Sequence, residues 1–236
     1  MIIETEQYNF EESLSRIDQM LNFQIADESA SVRVPILDDI PTKGGVVTNC
    51  SVLQIEMKSS PLLDVYSSLL CVYRAFLSEA VAILSSHSHC VDIIVLGTRM
   101  TAVFSTPFKY NIESLIDKAA MVNTLAQVVT KKAKGLGLPG ITVRIAIDYG
   151  KAMLMRLGKF NVGEVMPSSL VWMGAPVEGA SKLIDNTNHD WNIWISGVIY
   201  QNLKEEYKKF FHHEMEYEGY GADIINTYMK NWLNKQ

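Results

Sequence analysis

Apolar positions recur along this chain at two periods. Val46 to Met57 is nearly continuous in apolar residues (Val46, Val47, Cys50, Val52, Leu53, Ile55), which predicts a buried core strand. Glu56, near its end, is out of character. Val91 to Phe104 holds two apolar runs about a tight Gly97-Thr98-Arg99 turn and predicts a hairpin. Ile141 to Ile147 alternates strictly and predicts a strand, followed by a turn at 148–151 and a returning strand at 152–157. Shorter strands are predicted over 170–173 and 191–195.

The helical period appears elsewhere. Phe10, Leu14, Ile17 and Leu21 share one face, with Asn9 and Glu12 placed as a capping box. Pro61 suits the first turn of a helix carrying Leu62, Tyr66, Leu69, Leu70, Tyr73, Phe76, Leu77 and Ala80, running to about residue 84. Ile112, Leu115, Ile116, Ala119, Val122, Leu125, Ala126 and Val129 mark another, closed by Gly135 and Gly137. Helices are also predicted over 177–184 and 197–211, and an apolar patch closes the chain at 228–233. Residues 22–45 show no period and read as a connection.

The order strand, helix, hairpin, helix, strand predicts a ferredoxin-like α+β domain over residues 46–236. An N-terminal helix and connecting segment, 1–45, precede it. The 236 residues suffice for one full core. The net charge of −5 implies no general affinity for nucleic acid. Lys131, Lys132 and Lys134 form the one dense basic cluster and read as a solvated helix end. Cys50, Cys71 and Cys90 are isolated in apolar stretches, so buried free thiols and a reducing, cytoplasmic setting are expected. Met1 to Gln7 lacks a signal-peptide pattern. No apolar run reaches the roughly 18 residues of a membrane span, so no membrane partner is expected.

Four separated motifs carry chemistry: Asn49-Cys50-Ser51-Val52-Leu53-Gln54-Ile55-Glu56, the Leu96-Gly97-Thr98 hairpin, the Val143 to Gly150 segment, and Val171-Trp172-Met173-Gly174-Ala175-Pro176-Val177-Glu178-Gly179-Ala180-Ser181-Lys182-Leu183. In this order they resemble class III nucleotidyl cyclases, and more narrowly the bacterial pyrimidine cyclases of Pycsar antiphage defence. The resemblance implies a dimer with sites at the subunit interface. It also implies two carboxylates holding two Mg2+ or Mn2+ ions, which promote attack of a ribose 3′-hydroxyl on the α-phosphate of UTP or CTP.

Carried over residue by residue, that pattern breaks. Glu56 falls on the first metal-binding carboxylate, and Thr98, a neutral and weaker ligand for a hard cation, on the second. The phosphate-approaching turn falls on Met57, Lys58, Ser59 and Ser60, without its glycine. Gly97 keeps the hairpin glycine. Ala175 stands for an acid, and Glu178 for the asparagine beside ribose and phosphate. Lys182 fits the cation position. No aromatic stands near Val46 and Val47 to read a pyrimidine. The resemblance therefore implies a pseudo-cyclase that binds a nucleoside triphosphate or cyclic nucleotide, or pairs as a homodimer or as a heterodimer with a related cyclase. The alternative is an active cyclase with a rearranged site. Of the other candidates, His87 with His89 and His212 with His213 read as exposed surface histidines, Asp148 as structural, Asp92 as remote from the hairpin tip, and the tryptophans as core or dimer-face residues.

Overall fold

The computed structural model describes residues 10–21, 31–35, 40, 45–59, 66–156, 170–186 and 191–235. Helix α1 (Phe10–Leu21) precedes strand β1 (Gly45–Ser59), helix α2 (Tyr66–Ser85), the hairpin β2 (Cys90–Leu96) and β3 (Arg99–Phe104), helix α3 (Lys109–Gly135) and strand β4 (Ile141–Arg156). Then come β5 (Leu170–Gly174), α4 (Ala175–Asn186), β6 (Ile193–Ser196), α5 (Gly197–Asn202), α6 (Glu205–Lys208), β7 (His212–Glu214), β8 (Gly219–Ala222) and α7 (Thr227–Lys235).

The strands form one sheet in the order β2-β3-β1-β4-β6-β8-β7, with β5 paired to β4. Its first four strands follow the expected ferredoxin-like order, with β1 antiparallel to β3 and β4. Strand β6 adds parallel to β4 and extends the sheet.

Alternation along the strands divides the core in two. Leu53, Ile55 and Met57 of β1, with Ile145 and Ile147 of β4, pack under α2 and α3. Cys50 and Val52, with Ala146, Ala152 and Leu154, pack on the other face under Ala180, Leu183 and Ile184 of α4. Helix α2 enters the first layer through Val72, Phe76, Ala80 and Leu84, each four residues apart. Its Ser68–Ser85 window is in fact long and apolar enough to cross a membrane by composition. That corrects the expectation that no run reaches this length; here the stripe is spent on the sheet. Helix α3 starts after Pro107, where Asn111 Oδ1 accepts the Phe108 N–H at 3.1 Å.

Other expectations also change. Residues 148–151 are no turn: β4 continues through them because it pairs with β1 from Ile141 opposite Ser59 to Met155 opposite Gly45. The helix expected over 197–211 is two short helices, α5 and α6, with Leu203 extended between them. His87 is buried, hydrogen-bonded through Nε2 to Ser114 Oγ at 2.5 Å and set edge-on against Phe104. Of the three free thiols, Cys50 is buried, Cys90 half-buried and Cys71 exposed. Helix α1 forms, but Leu14, Ile17 and Leu21 of its apolar stripe are exposed. Asn9 and the first turn expected at Pro61 lie outside the described residues.

Candidate functional site

Strand β1 presents Gln54, Glu56 and Lys58 to the α4 face, because these alternate with the core residues Leu53, Ile55 and Met57. Gln54 is buried and anchors the helix: its Nε2 donates to Val177 O at 3.3 Å, and its Oε1 accepts from Ser181 Oγ at 3.0 Å. The helix can approach this closely because residue 179 is glycine. A Cβ there would lie 1.9 Å from Asp148 Oδ2.

Glu56 sits between two arginines in register, Arg99 on β3 and Arg144 on β4. Its Oε1 accepts from Arg99 Nη2 at 3.1 Å and Nε at 3.4 Å. Its Oε2 lies 3.4 Å from Lys58 Nζ. Arg99 Nη2 also donates to Asp185 Oδ1, which projects from the last turns of α4. Buried Arg144 donates through Nη1 to Ile184 O at 3.2 Å, next to Asp185. The hydrogen bond to Asp185, ahead of that to Glu56, raises the Arg99 pKa above its ordinary value, against a smaller lowering by burial. Asp148 lies on the same face of β4. Burial raises its pKa, opposed by hydrogen bonds from Ser196 and the Tyr149 N–H.

The hairpin tip meets β1 through its backbone. Gly97 adopts φ +60°, which the two-residue turn requires and a side chain resists. Exposed Thr98 accepts at its carbonyl from Met57 N–H at 2.9 Å. The Met57 side chain points away, into the core under α2 and α3. Ser60 lies outside the described residues, as does the Ser59 side chain. Ala175, Glu178, Lys182 and Asp185 form an exposed stripe on α4 at three- and four-residue steps. Lys182 Nζ faces Glu218 Oε2 at 3.6 Å, with both side chains largely in solvent.

Of the expected residues, then, the structure joins Glu56, Lys58, Thr98 and Gly97 at one end of the sheet. Among the described residues, no hydrogen bond or ion pair joins Glu178 or Lys182 to Glu56. No group of three or more His, Cys, Asp or Glu side chains converges as a metal site among the described residues.

Three residues of the cluster went unforeseen. Arg99 is the first residue of β3 and not part of the turn. A two-residue Gly97-Thr98 turn would have predicted this. Arg144 was legible too: strict alternation sets it opposite in facing to Val143 and Ile145. Asp185 depends on where α4 docks, for which no local signal exists.

No family model matches the chain. It is 27% identical to a uridylate cyclase of Gulbenkiania mobilis, over 96% of this chain and 95% of that one. It is 23% identical to a uridylate cyclase of Treponema porcinum, over 97% and 82%. Among solved structures, the guanylyl cyclase Cya2 superposes with a TM-score of 0.61 at 14% identity, covering 78% of this chain and 96% of that one. A class III adenylyl cyclase-like ATP-binding protein from Pseudomonas aeruginosa gives 0.58 at 16% identity, covering 91% of this chain and 48% of that one. The chain thus carries the class III nucleotidyl cyclase catalytic fold and resembles uridylate cyclases over nearly its whole length.

Proposed function

We propose that this chain is a Pycsar-like cyclase homologue in antiphage defence that has lost two-metal turnover and acts by holding a nucleotide or by pairing with a related subunit. The observation that carries the proposal is the state of Glu56. Its two carboxylate oxygens already face Arg99 and Lys58, and the position where a second carboxylate is expected holds exposed Thr98. A hard divalent cation takes oxygen ligands, preferably anionic ones. One carboxylate engaged by two side-chain cations, beside a neutral hydroxyl, does not fit a pair of such ions.

What this chain's residues can do is bind and orient. The exposed stripe on α4 offers Lys182 to an anionic group, and the Gly97-Thr98 turn lies against the end of β1. The uridylate cyclase relatives favour a uridine nucleotide, and the ATP-binding neighbour offers a precedent for a cyclase-like fold described by what it binds. Incubating the purified chain with each of the four ribonucleoside triphosphates and Mg2+ or Mn2+ tests the proposal. No cyclic nucleotide is expected; sustained formation of one by the chain alone would overturn it.

A second reading, an active pyrimidine cyclase, is favoured by the end-to-end match to uridylate cyclases and by the retained acid at Glu56. In that case UTP or CTP gives a cyclic mononucleotide and diphosphate, and Glu56→Ala abolishes the product.

A further inference from the structure

We infer that Arg99 and Lys58 stand in for divalent cations at this site, so that the chain binds a polyphosphate, such as the triphosphate of a nucleotide, without metal. The inference rests on the reading that the scaffold still holds a nucleotide. It adds the chemistry of the holding.

A metal site in this position needs carboxylates free to ligate and supplies positive charge to phosphate oxygens. Here the positive charge is built into the chain. Glu56 is flanked in register by Arg99 and Arg144, and Lys58 lies two residues along the same strand face. Arg99 and Lys58 both face Glu56, and Arg99 also pairs with Asp185.

The carboxylate of Glu56 has become an orienter. By accepting from both Nε and Nη2 of Arg99, it fixes the plane of the guanidinium. Nη1 of Arg99 makes no hydrogen bond to a described residue, and the side chain is 38% exposed. A fixed guanidinium fork with an open edge matches phosphate oxygens, and Lys58 adds a point charge beside it.

Asp185 is the group a phosphate would displace. It is half-exposed at the end of α4 and holds Arg99 on the side facing solvent. Its carboxylate and an incoming phosphate compete for the same guanidinium.

The sign of the metal effect separates this chemistry from a metal-dependent site. Mg2+ lowers the charge of a triphosphate and occupies the oxygens that Arg99 and Lys58 would contact. Binding carried by the side chains is therefore tighter in EDTA than in excess Mg2+, whereas binding carried by metal is tighter in Mg2+.

Calorimetry with UTP, ATP and inorganic tripolyphosphate, each in EDTA and in excess Mg2+, tests this on the full chain. Tighter binding in EDTA is expected. Arg99→Gln is expected to weaken it by about tenfold or more, the scale of one lost charge-assisted contact. Asp185→Asn is expected to tighten it severalfold, a gain that a purely structural salt bridge would not give. Retained circular dichroism and unfolding midpoints would show that each variant folds. Binding that requires Mg2+ and ignores Arg99→Gln would overturn the inference and leave the nucleotide-holding proposal standing. No binding of any probe in either condition would remove both.

Discussion

The two faces of one strand carry the difference between what holds this protein together and what it can do. Leu53, Ile55 and Met57 point into the larger core, under two long helices, and are nearly inaccessible to water. Gln54, Glu56 and Lys58 alternate with them: Gln54 hydrogen-bonds the shorter α4, and Glu56 pairs with Arg99 of β3 and with Lys58. The first face follows the rule that apolar area removed from water dominates stability, at about 25 cal/mol per Å2. The second face packs Cys50 and Val52 in the smaller core, but at Glu56 and Lys58 it gains little from burial and much in geometry, because each charged group limits where its neighbours can sit. A sheet of this kind can lose or exchange charges on the α4 face while the opposite layer keeps the fold.

The largest expected effect lies on the helical face. Phe76 is fully buried among Leu53, Ile55 and their neighbours. Phe76→Ala should lower stability by about 3–5 kcal/mol through lost burial and a residual cavity. Urea unfolding followed by circular dichroism measures it. A loss under about 1 kcal/mol would break the comparison, since large-to-small core changes of this kind cost more.

Next is the close approach of α4 to β4 at Gly179. Gly179→Ala forces a methyl onto the carboxylate of Asp148, so α4 must lift or Asp148 must turn. Overpacking of this kind costs about 1–3 kcal/mol, read as a lowered thermal midpoint. Gly179→Ala in an Asp148→Ala background should recover most of the loss, because the colliding oxygen is gone.

The fold was legible because its signals are local and periodic. Strict alternation at Ile141 to Ile147, the apolar run of β1 and the three- and four-residue steps of α3 each specify one element. Glu56 was legible as an anomaly for the same reason: a lone acid breaks an apolar run. What stayed hidden were relations between elements. The turn read at 148–151 is Asp-Tyr-Gly-Lys, good turn chemistry, overridden because β1 pairs with β4 through this stretch. Gly150 instead lies where Pro176 of α4 packs, its place for a Cβ 3.5 Å from the proline Cδ. His87 looked like a loop residue among serines, and only α3 brings Ser114 to it. Asp185 was unreadable at the site because its role depends on the docking angle of a whole helix.

A smaller effect is expected from the charged cluster itself. A double-mutant cycle of Glu56→Gln with Arg99→Gln should give a coupling of about 0.5–1.5 kcal/mol, kept low by solvent screening at the partly exposed Arg99. The coupling should fall toward zero in about 1 M salt, where charges are screened beyond about 3 Å. A coupling that stayed near 3 kcal/mol in high salt would make the cluster a buried structural pin, and the two faces would no longer divide stability from chemistry.

The smallest predicted effect tests the apolar face by pH. His87 is its buried titratable edge, packed on Phe104. Burial first, then His89 and Lys118, hold its pKa below the ordinary histidine value. The unfolded chain then takes up a proton at a higher pH than the folded one. The stability that comes from keeping His87 neutral is therefore complete above about pH 6.5 and is lost as pH falls through the lowered folded value. Urea midpoints of the wild type should drop between about pH 7 and pH 5 by more than those of His87→Gln, a difference of about 1 kcal/mol or less. The variant's Nε2 amide can still reach toward Ser114 but cannot titrate, so equal slopes for the two proteins would assign the acid sensitivity to another group. Among those, Asp148 is excluded by sign. Its pKa is raised, so its contribution to stability grows as pH falls through the raised folded value toward the unfolded one.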